Sequence, residues 1–201
     1  MTEPRTVHPS PPLERLDPRL RAYIERVRAA ANAPLSDVAR LRRVREASLD
    51  LASGPVQLRP EDRRVGAGSY GRNLLHRDPQ TGFVVIAMVW PPRTGGAPHD
   101  HGTWGVVAVV EGAVDVTNYE REDDGSRADR AVLRATCTVH AEPGAVATVL
   151  PPHEDFHSVY NASPDRTAVS IHTYGVEPRD FRRVSLADGA VTLARLEYDN
   201  L

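Results

Sequence analysis

Seven short runs rich in apolar and β-branched residues follow one another after residue 65: FVVIAMVW, GVVAVVEG, AVDVTNY, ATCTVH, AVATVL, HSVYN and TAVSIHTY. Clusters of glycine, proline and aspartate separate them, among them PPRTGG, EDDGSRAD and AEPG. Each strand of this kind must bury a face against a second sheet, so the pattern predicts a mainly β barrel or sandwich. No glycine-rich phosphate loop and no βαβ alternation competes with that reading.

Upstream the period is helical. Leu20, Ile24 and Val27 recur at spacings of four and three, and after Ser36, a good N-cap, Val38, Leu41 and Val44 do the same. The expected organisation is a flexible, proline-rich arm over residues 1–16, a helical region over 17–64 packed on its neighbour, and a barrel with C-terminal strands over 65–201.

Composition removes several function classes. The net charge of −2 gives no electrostatic footprint for nucleic acid, so the arginine-rich helical pair is not expected to be a DNA reader. The single cysteine, Cys137, excludes an internal disulfide and suits a reducing cytoplasm; it is expected to be a small buried hydrophobe. The N-terminal stretch has no apolar run of signal-peptide type, and the longest apolar run, residues 83–90, is too short to span a membrane.

Residues 153–157 read HEDFH, the H-E-x-x-H pattern of zinc proteases. That pattern binds metal only on a helix, where both histidines face one side. Here prolines at 151, 152 and 164 leave room for about one helical turn inside a strand-rich region, so the protease reading fails. His157 is retained for another reason. His99-Asp100-His101 is H-x-H at the approach to a strand, where side chains at i and i+2 share a face roughly 7 Å apart and can converge on one metal. For this motif alone, two exposed histidines at a strand end is the alternative.

The segment GGAPHDHGTWGVVAVVEG resembles the first motif of the cupin superfamily, with Gly112 as its closing glycine and Gly105 where a glutamate ligand is usual. Pro152, His157 and Asn161 resemble the second motif, with Glu154 in place of its usual glycine. Over residues 65–175 the resemblance implies a double-stranded β-helix (jelly-roll) barrel holding a metal on His99, His101 and His157. Three neutral imidazoles without a carboxylate leave open positions and one more positive charge than a two-His-one-carboxylate site, which suits a thiolate ligand. Iron(II) is the expected metal, although imidazole also suits Zn, Ni and Cu.

Four ordered pieces are similar to the cysteine dioxygenase type of thiol dioxygenase: YGRN (Tyr70 to Asn73), HDHGTWG, HSVYN and SIHTY. The resemblance implies a small thiol and O2 as partners, L-cysteine being the expected substrate and cysteine sulfinic acid the product. It also implies a Ser170, His172, Tyr174 triad, with Tyr174 donating to the reacting groups and His172 orienting it. Spacing agrees, since i, i+2 and i+4 on a strand face one way. Arg72, beside Tyr70, is the implied carboxylate binder. Arg183 stands where 3-mercaptopropionate dioxygenases, which usually have Gln at the Arg72 position, carry theirs, so that substrate is the alternative. The Cys–Tyr crosslink of animal enzymes cannot form, because its cysteine position is Gly105.

Trp104 is expected to line the pocket or pack the barrel. His8, His76 and His140 are given no role, and His153 is a weaker rival to His157. Two other functions stay open: a non-enzymatic metal-binding cupin sensor, and a cupin isomerase or different oxygenase using Ni or Mn. Oligomeric state is left open.

Overall fold

The computed structural model describes residues 10–68, 70–151, 156–178, 180–195 and 197–201. His8, Pro152, His153 and Glu154 therefore lie outside the described residues, as does most of the expected N-terminal arm.

Two helices form as the spacing predicts. In α1 (Pro18–Asn32) the Asp17 carboxylate accepts the backbone N–H groups of Arg19 and Leu20, and Pro18 opens the first turn where no N–H is needed. In α2 (Asp37–Ala52) the Ser36 hydroxyl accepts from Ala39 N–H. At the far end of α2 the Arg19 guanidinium donates to the carbonyls of Asp50 and Leu51, satisfying groups the helix leaves bare. The buried stripe of α1 is Leu20, Tyr23, Ile24, Val27 and Ala30, and that of α2 begins at Leu41. Val38 departs from expectation: it is 66% exposed, whereas Leu41 and Val44 further along α2 are buried.

The β region builds antiparallel sheets. One has the order β1 (Gly71–Arg77), β2 (Val84–Trp90), β8 (Ala168–Tyr174), β3 (Gly105–Glu111), β6 (Val146–Val149). The second has the order β5 (Leu133–Ala141), β4 (Val114–Arg121), β7 (Phe156–Tyr160), and β9 (Asp180–Val184) pairs with β10 (Val191–Arg195) as a hairpin. This is the expected mainly β cupin fold, with the two helices at its N-terminal side.

Strand alternation sorts the core into two layers. Val85, Ala87, Val106 and Ile171 face outward and pack with the stripes of α1 and α2. Val84, Ile86, Met88 and Trp90 face inward with Val109, Val114 and Val159. The central strands β2 and β8 are buried throughout, covered on both faces, which is why β2 reads as an unbroken apolar run. A buried polar junction ties the layers: the Tyr23 hydroxyl lies 2.6 Å from Thr173 Oγ1 on β8 and 3.1 Å from Ser48 Oγ on α2.

Cys137 corrects an expectation. It is exposed, on the edge strand β5, and its Sγ accepts from Asn118 Nδ2 at 3.4 Å. Local composition made β5 look like a core strand, but its burial is low along nearly its whole length. Among the described residues no helix is long and apolar enough to cross a membrane.

Candidate metal centre

Two separated segments bring the three histidines together. His157 sits on β7, and residues 98–101 run beside it as single bridges rather than as part of β3. His99 and His157 exchange backbone hydrogen bonds, at 3.0 and 3.2 Å, and Val184 N–H donates to Pro98 carbonyl at 2.9 Å from the other side. Asp100, between the two histidines, turns away: its carboxylate accepts Arg182 backbone N–H at 2.7 Å and Nε at 2.5 Å. That ion pair pins the H-x-H segment to β9 and keeps the carboxylate out of the ligand set.

One ring nitrogen from each of His99, His101 and His157 lies within 4.8 Å of the others. Burial pushes the His101 and His157 rings well below their usual pKa, and the neighbouring imidazoles add to this. Burial likewise takes His99 down to about 4, against its hydrogen bond to the Ala97 carbonyl and with help from the charges of Arg72 and Arg183. Neutral rings present lone pairs, which metal binding requires. With neutral His99, its Nδ1–H donates to Ala97 carbonyl at 3.0 Å, leaving Nε2 as the ligand atom. The donor set fits iron(II), and equally Zn, Ni or Cu.

The missing carboxylate has a steric reason. Gly105 pairs with Tyr174 across β3 and β8, and a Cβ there would stand 2.8 Å from the Tyr174 ring. The space a glutamate side chain would need is taken by the tyrosine, which stacks on His101 with centroids 5.0 Å apart. The motif's closing residue, Gly112, has φ +63°, a left-handed conformation that favours glycine.

Ser170, His172 and Tyr174 share the inner face of β8, as the spacing predicts. Ser170 Oγ is 2.8 Å from His172 Nε2, and His172 Nδ1 is 3.0 Å from the Tyr174 hydroxyl. Trp90, which sequence reasoning passed over, extends the chain by donating its indole N–H to Ser170 Oγ at 2.9 Å. Burial, then the charges near His99 and Arg72, holds His172 down to about 3, so its ring is neutral.

Above the histidines, Arg72 Nη2 donates to the Tyr70 hydroxyl at 2.6 Å and Arg183 Nη2 approaches the same oxygen at 3.4 Å. Phe181, also passed over, lies under both guanidinium groups, 5.4 Å from Arg72 Cζ and 5.1 Å from Arg183 Cζ. A small cavity of about 30 Å³ remains beside the triad, lined by Arg72, Tyr70, His99, His172 and Tyr174 among others. Trp104 is not part of it: the indole packs on the outer, helix-facing core and so closely over Gly175 that a Cβ there would meet it at 2.2 Å. Asn161 is structural, its amide donating to the carbonyls of Trp90, Pro91 and Arg166. His76 belongs to a separate buried cluster with Arg28 and Asp78, and His140 is exposed against Asp115.

Among solved structures, the chain is similar to an oxalate oxidase in complex with the substrate analogue glycolate, at 16% identity and TM-score 0.42, over 56% of this chain and 54% of that one. It thus spans little more than half the length of that protein. It is also similar to an uncharacterized conserved protein with a double-stranded β-helix domain from Klebsiella pneumoniae, at 15% identity and TM-score 0.41, over 70% and 98% of the two chains. A cupin 2 conserved barrel domain protein from Rhodopseudomonas palustris matches at 11% identity and TM-score 0.44, over 62% and 75%. The family described as cysteine dioxygenase type I matches residues 64–183, a span that holds Tyr70, Arg72, the three histidines, the Ser170–His172–Tyr174 chain and Arg183. On that match the chain belongs to the cysteine dioxygenase type I family.

Proposed function

We propose that this protein is an iron(II)-dependent thiol dioxygenase that converts a small thiol bearing a carboxylate to its sulfinic acid. The observation that carries the reading is the meeting of three neutral imidazoles with one guanidinium and one tyrosine hydroxyl in a single small cavity. Bound iron would supply the redox centre where thiolate and O2 react, with both oxygen atoms ending on sulfur.

The remaining work falls to the chain. Arg72 takes the substrate carboxylate by its two-donor fork, displacing the Tyr70 hydroxyl. Tyr174 donates its O–H toward the reacting oxygen or sulfur, and His172, held by Ser170 and Trp90, fixes where that donor points. The aliphatic and aromatic walls, Ile86, Met88 and Trp90, exclude water.

L-Cysteine is the substrate favoured by the Tyr70–Arg72 pattern. A second reading, 3-mercaptopropionate, is favoured by Arg183, which reaches the same hydroxyl as Arg72. A reducing cytoplasm suits both the thiol and the exposed Cys137. The test is oxygen uptake by iron-loaded protein over a panel of thiols, with sulfinate measured as product. Uptake matched by sulfinate is the expected result; iron binding without uptake on any thiol leaves a metal-dependent cupin sensor instead.

A further inference from the structure

Arg72 stands on β1, an edge strand: β2 pairs with one side of it, and among the described residues no strand pairs with the other. It is nevertheless buried along most of its length. A buried edge must find partners for the backbone groups its sheet does not use. Residues 198–201, YDNL, supply them. Asp199, 127 positions along the chain from Arg72, takes both of its backbone groups: the carboxylate accepts the N–H at 2.7 Å, and the Asp199 N–H donates to the carbonyl at 2.7 Å. Asn200 takes both groups of Leu74 with its side-chain amide, the oxygen accepting at 2.9 Å and the nitrogen donating at 3.1 Å. That nitrogen also donates at 3.2 Å to buried Asp62, which Arg59 pairs. Tyr198 fastens the segment to the far end of β1, its hydroxyl donating at 2.9 Å to Glu177, the partner of Arg77.

Covering an edge needs only neutral groups, and at Leu74 the amide of Asn200 does it. At Arg72 the acceptor is a carboxylate, whose charge strengthens the bond. That carboxylate holds the backbone of Arg72, while the guanidinium points elsewhere and donates to the Tyr70 hydroxyl at 2.6 Å. Gly66 makes room for it: a Cβ at Gly66 would stand 2.2 Å from Asp199 Oδ1, so any side chain there would displace the carboxylate. A guanidinium on a long stem meets its ligand only as reliably as its own backbone is fixed, and a misplacement of about 1 Å removes much of a site's effectiveness.

We propose that Asp199, seated on Gly66 and secured by Tyr198 and Asn200, is the positioning residue for Arg72, so that residues 198–201 form a clasp that aims the guanidinium into the cavity. This rests on the thiol dioxygenase reading, in which Arg72 takes the substrate carboxylate, and adds the distant segment that sets where Arg72 stands. Asn200 and Tyr198 anchor the clasp, and Asp199 transmits it.

The test uses iron-loaded wild type, Asp199→Ala, Asp199→Asn, Gly66→Ala, Arg72→Gln and the double variant of Asp199→Ala with Arg72→Gln. It measures kcat and KM with L-cysteine and 3-mercaptopropionate, and calorimetric binding of both thiols without oxygen. Asp199→Ala is expected to raise KM and weaken anaerobic binding about tenfold, while kcat falls far less. Asp199→Asn, which keeps an oxygen to accept the Arg72 N–H, restores most of the binding, and Gly66→Ala, which displaces the carboxylate from beneath, reproduces the loss. In the Arg72→Gln background Asp199→Ala adds little, because both act through one guanidinium. The clasp is overturned if Asp199→Ala and Gly66→Ala bind both thiols as wild type does, if the losses of Asp199→Ala and Arg72→Gln add in full, or if wild type binds neither thiol. Oxygen uptake with such a result leaves the dioxygenase reading in place. The expected binding pattern with no oxygen uptake on either thiol fails the reaction and keeps the clasp. Where Asp199→Ala does not fold, Gly66→Ala decides.

Discussion

The indole N–H of Trp90 lies 2.9 Å from the hydroxyl of Ser170, across the β2–β8 pair. That contact sets the direction of the proton chain beside the three histidines. Indole is only a donor, so Ser170 Oγ must accept from it. The acceptor at hand for the serine's own proton is His172 Nε2, at 2.8 Å. A neutral imidazole then carries its proton on Nδ1 and donates to the Tyr174 oxygen.

Replacing Tyr174 with phenylalanine keeps the ring that stacks on His101 and removes the terminal donor. Turnover is expected to fall about 100-fold, with bound iron nearly unchanged. Oxygen uptake and iron per protein, measured on the same sample, check this. Equal loss of both would make Tyr174 a structural residue.

Gly105→Ala places a methyl 2.8 Å from the Tyr174 ring, closer than carbon atoms approach. The ring must shift, and the cost of such overpacking is about 1–3 kcal/mol. The expected outcome is a lower melting temperature and a lower kcat, with metal content largely retained. A variant as active and as stable as wild type would show that the site tolerates a moved ring.

Iron added to metal-free protein should raise the melting temperature, because a ligand that binds only the folded state stabilises it by mass action. His99→Ala, His101→Ala and His157→Ala should each erase most of that shift and most of the bound iron. Calorimetric melts with and without metal read the effect. A shift that survives His157→Ala would place the metal elsewhere.

Asp78 makes folding sensitive to acid. Burial alone would raise its carboxyl, but the Arg28 guanidinium, with Thr81 and Gln80 donors, outweighs that and holds it well below the usual carboxylate range. A carboxyl lowered in the folded state contributes its stability in full above the unfolded value, about 3.9, and loses it as pH falls toward the folded value. Urea titrations at pH 7 and near pH 3 should therefore differ more for wild type than for Asp78→Asn. The variant should also lose about 1–3 kcal/mol at neutral pH, since buried His76 and half-buried Arg28 lose their anion. Equal acid sensitivity in both proteins would count against this role.

Local pattern carried much of the architecture. The helices start at Asp17 and Ser36 because capping side chains act within a few residues of their own backbone. The i, i+2, i+4 spacing of Ser170, His172 and Tyr174 put them on one face because strand alternation is equally local. Val38 and Cys137 went astray for one reason: periodicity gives a face but not what covers it, and among the described residues nothing buries those two positions. Trp104 sits within a few residues of His101 in the chain and still packs on the opposite side of the sheet from the site.

From the sequence alone came the strand-rich barrel, the two helices, three histidines without an acidic partner, and two arginines competing for one role. Closure of the barrel decided the rest. It set His157 against His99, put Tyr174 where Gly105 leaves room, joined Trp90 to the proton chain, and brought Arg72 and Arg183 together over Phe181. Backbone propensity and side-chain alternation act over a few residues, so they can be read along the chain. Which distant faces meet depends on how whole sheets pack, and that is fixed only when the apolar interior is buried as a unit.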